Sequence, residues 1–116
     1  MHDGCVEYLS IDVPVRLWLH VDGCVDNGVA IDVVELIMES VIIGSCVRDE
    51  GWRKSAAYQG ERDAYGWPPP DHQLLIVLQR PHWDWVISQL DRWMPYAEGA
   101  TLTEARDLIT KGLHTL

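Results

Sequence analysis

The chain has 116 residues, 47% of them hydrophobic and 23% charged, with a formal net charge of −9. That length suits one domain with a core of its own, and the balance excludes a disordered or low-complexity chain. A field of this sign repels phosphate backbones and anionic lipid, which argues against direct nucleic-acid binding and against adsorption to a membrane.

The start, MHDGCVEYLS, lacks a basic segment followed by an apolar one, so no signal peptide is read. Residues 13–22, VPVRLWLHVD, alternate: Val13, Val15, Leu17, Leu19 and Val21 fall on one side, Pro14, Arg16, Trp18, His20 and Asp22 on the other. Period two predicts a half-buried strand over 13–21, with CVEYLSI as an upstream extension or a further short strand. DGCVDNG is turn chemistry. In the following stretch, VAIDVVELIMESVII, the acids Asp32, Glu35 and Glu39 recur at spacings of three and four, which predicts a helix near 30–43 buried on most of its circumference. Its β-branched residues leave a strand at 29–34 as the alternative. Those acids also make the stretch too charged, and it is too short, to span a bilayer.

Residues 44–72 read as an irregular or hairpin insertion, ending in three prolines that enforce an extended approach to the next element. QLLIVLQ, 73–79, is a continuous apolar run and predicts a central strand covered on both faces. RPHWDWVISQLDRWM predicts a helix over 82–94, opened by Pro81 and closed before Pro95. TLTEARDLITKGL predicts a last helix over 102–112 with a Thr101/Glu104 capping box. The fold class is therefore α+β: a single two-layer domain over 1–116, a small sheet with about three helices against it. Its expected core is Leu17, Leu19, Ile37, Leu75, Val77, Val86, Leu90 and Ile109.

Three of the six tryptophans lie in 82–94. At about 100° per residue, Trp83 and Trp93 share the apolar side with Val86, Ile87, Leu90 and Met94. Trp85, Gln89, Arg92 and Tyr96 form a stripe on the opposite side, and tryptophan, tyrosine and arginine are enriched at interface hot spots. This stripe is a partner or homodimer surface, or is covered by the 44–72 segment, or is a singly exposed Trp85 stacked by Arg92 with no further role. Asp32, Glu35 and Glu39 offer a second contact: a carboxylate row, one helical turn apart, suited to arginines of a basic partner. The charge supports it, since residues 1–47 hold eight acids against one base, a net −7, and residues 48–116 hold ten acids against eight bases, a net −2.

Chemistry is thinly signposted. No metal-binding, phosphate-loop or nucleophile-elbow motif is present, and no cofactor is implied. If the protein is an enzyme, His20 and Asp22 on one strand face, with His72 converging on them, are the nominees for acid–base work or metal-assisted hydrolysis. Cys5, Cys24 and Cys46 are odd in number and form no CxxC, pointing to a reducing, cytoplasmic compartment. The favoured function is a small acidic cytoplasmic binding or inhibitor-type protein that occludes a basic protein partner, as an immunity protein or a phage-type inhibitor of a nucleic-acid-handling complex would. The alternatives are the small hydrolase or metal-dependent enzyme, and a structural subunit of a homo-oligomer.

Overall fold

A computed structural model describes residues 7–96 and 99–115. The order is β-α-α twice over: β1 (Tyr8–Pro14), α1 (Val15–Val34), α2 (Met38–Ala56), β2 (Gln73–Gln79), α3 (Arg80–Trp93) and α4 (Gly99–His114). The two strands pair antiparallel with Leu9 opposite Leu78, Ile11 opposite Ile76 and Val13 opposite Leu74. All six of these side chains are buried and form one wall of the core. The halves interlock, because α2 lies along β2 and α4 along β1. This is the expected α+β domain, with four helices where about three were expected.

The strand expected over 13–21 is corrected: β1 ends at Pro14, and Val15 opens a twenty-residue helix. Seven of its nine buried positions, Val15, Trp18, Val21, Asp22, Val25, Gly28 and Asp32, follow the helical period. Trp18, assigned to the polar side of a strand, is fully buried. Pro14 occupies the N-cap without a capping side chain, so the free N–H groups of the first turn need acceptors from elsewhere. The loop before β2 supplies them: Val15 N donates to His72 O at 2.9 Å and Arg16 N to Pro70 O at 3.0 Å. The triple proline thus delivers carbonyls to the start of α1.

The single helix expected near 30–43 is also corrected, because the chain breaks at 35–37 and α2 runs back antiparallel to α1. The insertion expected over 44–72 is helix as far as Ala56 and irregular only from there. In that irregular part Arg62 caps α2, donating to the carbonyls of Ser55 and Tyr58, while Trp67 stacks on Trp52 with centroids 4.3 Å apart. β2 appears where expected but is not covered on both faces, since Gln73 and Leu75 stand exposed. Of the expected core, Leu17, Val86, Leu90 and Ile109 are buried, Leu19 and Val77 are half-buried, and Leu75 and Ile37 are exposed. α4 begins at Gly99, upstream of the expected capping box, and Glu104 pairs instead with Arg16 at 2.5 Å.

The outer edge of β2 is closed by side chains of α2. The buried Glu50 carboxylate accepts the Val77 N–H at 2.8 Å, and Lys54 donates to Leu75 O at 3.0 Å. Burial pushes the Glu50 carboxyl upward, but the contacts from Arg53, the Val77 N–H and Lys54 outweigh it and hold the group below its ordinary value. The α1–α2 contact is closer still. A Cβ at Gly51 would overlap the Trp18 indole, whereas one at Gly23, exposed in α1, would touch nothing. Gly51→Ala is therefore expected to destabilise the protein by about 2 kcal/mol through overpacking, and Gly23→Ala to be neutral or to stabilise it by up to about 1 kcal/mol. Denaturant unfolding of the two variants checks this.

Candidate functional site

α3 starts directly from β2 as α1 starts from β1, and packs on the α1–α2 hairpin. The side that carries Trp85, Gln89 and Arg92 is packed, as is the side of Trp83, Val86 and Leu90. Gln89 is buried and fills the space left by the missing side chain of Gly28, and the Trp85 ring reaches the backbone at Gly44 with Nε1 3.4 Å from Ser40 Oγ. Arg92 lies 3.3 Å from both carboxylate oxygens of Asp32. The outward stripe expected from the helical wheel is thus the seam of the helical layer. It is covered by α1 and the first turns of α2 rather than by the irregular loop. Tyr96 alone of the four stands open, 77% exposed and edge-on to Trp93 at 6.0 Å. Trp83 is fully buried and donates Nε1–H to Leu9 O at 2.9 Å, and Trp93 is half-buried.

The carboxylate row is dispersed by the break in the helix. Asp32 is buried in its ion pair, with a side chain 5% exposed. Glu35 is the C-cap of α1, and Glu39 lies in the first turn of α2, where a carboxylate suits the helix dipole. Both are exposed, and neither has an ion-pair partner among the described residues. Other acids of α1 are neutralised from α2: Arg48 reaches Asp22 at 3.1 Å and Asp26 at 3.0 Å.

The nominees for chemistry are not assembled. On a helix His20 and Asp22 diverge by about 200°, so the shared strand face does not exist. Asp22 is engaged by Arg48, and the His72 ring packs on Tyr58 with centroids 4.6 Å apart. Among the described residues no three His, Cys, Asp or Glu side chains converge as a metal site, and no helix is long and apolar enough to cross a membrane. A shallow cavity of about 220 Å³ lies between α2 and the end of β2, lined by Tyr8, Cys46, Arg53, Val77 and His82 over Glu50. Its most buried group, the Glu50 carboxylate, already holds three partners.

The conspicuous surface is elsewhere, at the tip of the α1–α2 hairpin. Twelve large hydrophobic residues stand exposed among those described, and seven of them lie within 31–42: Ile31, Val33, Val34, Leu36, Ile37, Met38 and Ile42. Leu36 is 78% exposed and has φ +61°, the left-handed region that costs a leucine about 1 kcal/mol. The turn closes as glycine-ended helices do, with Leu36 N donating to Val33 O at 3.3 Å and Ile37 N to Asp32 O at 2.8 Å. Asp32 holds this turn by its carbonyl and Arg92 by its carboxylate, so the tip is fixed to α3. No residue at 35–37 is a glycine, proline or asparagine that would mark the break in the sequence. The available signal was an apolar content too high for a helix that covers only one face.

The chain matches no known protein family, and neither the curated proteins nor the solved structures compared with it include a match.

Removing Arg92 alone would leave the Asp32 carboxylate buried without its charge partner. Arg92→Met is expected to cost about 2 kcal/mol or more, and Arg92→Met combined with Asp32→Asn to recover much of that loss. A double-mutant cycle by urea unfolding measures the coupling.

Proposed function

We propose that the protein is a small acidic binding protein that acts by contact with a basic protein partner, seated on the α1–α2 tip. The observation that carries this reading is Leu36. Folding gains nothing from a leucine there, because the backbone prefers glycine and the side chain is 78% exposed. An apolar side chain held at a conformational cost on a tip already rich in exposed apolar groups is suited to anchor a partner. Glu35 and Glu39 border the tip without ion-pair partners among the described residues, and the chain carries −9. Those charges favour a partner whose apolar cleft is rimmed by lysine or arginine. They speed its approach, while burial of Leu36, Met38 and Ile42 slows its release. Occlusion of a basic surface is the mode of action that this geometry supports. Cys46 is an exposed free thiol, which suits a reducing cytoplasm.

The test sets stability against binding. Leu36→Gly is expected to stabilise the isolated protein by about 0.5–1 kcal/mol, since it relieves the left-handed leucine. The same change is expected to weaken partner binding by roughly tenfold or more. Glu35→Lys with Glu39→Lys should weaken binding and flatten its salt dependence while the fold persists. Partner capture from the native host by wild type and by these variants, followed by titration of the captured protein, reads both effects. Undiminished binding by Leu36→Gly would remove the tip from the interface.

A further inference from the structure

We propose that a second copy of this chain can take the place of the tip, by exchange of the β1–α1 arm across an opened α1–α2 hinge. This goes beyond the partner reading and does not depend on it. The hinge is short, 35–37, and its left-handed residue is a leucine. Short hinges under strain favour exchange of an identical element between copies. From 29 to 43 the chain has no glycine, proline or asparagine, so no helix-breaking residue stands between α1 and α2. Opening removes the left-handed conformation.

Register across the break supplies the second observation. In a continuous helix Ile31, Val34, Met38 and Val41 stand at spacings of three, four and three, an apolar seam of coiled-coil type. In the hairpin the same residues are split between two antiparallel helices, with Ile31, Val34 and Met38 exposed. The seam therefore exists only in the opened form. Two opened helices crossing antiparallel near Leu36 would bury Ile31 and Val34 of one copy against Val41 and Met38 of the other.

Outside the turn itself, the contacts that hold the arm survive the exchange, now between copies. These include the pairing of β1 with β2 and the ion pairs Arg16–Glu104, Arg48–Asp22 and Arg92–Asp32. The balance between monomer and dimer then rests on the hinge and the seam alone. Glu35 lies beside the seam, and antiparallel pairing brings the Glu35 side chains of both copies to the same flank. Salt, which screens that repulsion, should favour this dimer, whereas salt should weaken the grip on a basic partner.

The experiment unfolds the full chain and refolds it at high protein concentration, in low and in high salt, with mass read by light scattering. A dimer is expected that grows with salt. Leu36→Gly, which relaxes the closed turn and disfavours the continuous helix, should lower the association constant by roughly tenfold or more. The mode is read by Val29→Cys with Gly44→Cys, on a background of Cys5→Ser, Cys24→Ala and Cys46→Ser. In the closed form a Cβ at position 44 meets the Val29 side chain, so the bond forms within one chain; after exchange it links two. A covalent dimer on a non-reducing gel supports the exchange. A monomer under every condition overturns it, as does a dimer whose bond stays within each chain or one that Leu36→Gly leaves unchanged. None of these results alters the binding of a basic partner to the monomer, which is measured separately.

Discussion

The closeness of Trp18 to the backbone of α2 at Gly51 sets the geometry of the rest of the molecule. A fully buried indole with no side chain opposite it brings α1 and α2 together along their length. That approach places Glu50 against the outer edge of β2 and brings Gly44 to the Trp85 ring. Trp83 donates its indole N–H to the sheet, whereas Trp18 Nε1 finds no acceptor among the described residues. Trp18 is therefore held by shape, and a shape contact is sensitive to a single added carbon.

From that contact the hairpin projects its tip, and the tip differs in kind from the body. Within the body, strand, helix and loop satisfy one another. Loop carbonyls accept the first N–H groups of α1, Arg62 donates to the last carbonyls of α2, and α2 side chains close the sheet edge. Arg48 and Arg92, both from the less acidic part of the chain, neutralise Asp22, Asp26 and Asp32 of α1. The acidity that remains at the tip is carried by Glu35 and Glu39. There the apolar side chains face solvent and one backbone residue sits where glycine would fit better. A body whose helix ends and sheet edge are paired internally, beside an apolar tip open to solvent, suits the proposed role in binding.

The legibility of the sequence was uneven, for physical reasons. α3 was readable because Val86 and Leu90 mark one side and Pro81 and Pro95 bracket it, and β2 because its apolar run is strand-length. α2 was not, because the positions that face the core are Gly44, Val47, Glu50, Gly51 and Ser55, only one of which has an apolar side chain. Its glycines and serine are small so that indoles and a strand edge can approach, and no hydropathy pattern records that. α1 misled in the opposite direction. Its first turns are apolar nearly all round, so a subset of them alternates by chance while the helical period runs through Trp18. On α3, Trp85, Gln89 and Arg92 do lie together, apart from Tyr96, but they face the α1–α2 hairpin, because Gln89 and Arg92 are polar residues used in packing against Gly28 and Asp32. The break at Leu36 carries no turn residue to mark it, and with it the tip went unread.

The placement of the binding surface is tested most directly by hydrogen exchange on the free protein and on its complex with the captured partner. Free, amides at 35–37 should exchange fast beside protected helices on either side. In the complex, new protection should be confined to 31–42 and its immediate surroundings. Protection that appears instead on the open face of the sheet or across 57–72, with 31–42 unchanged, would contradict a binding surface at the α1–α2 tip.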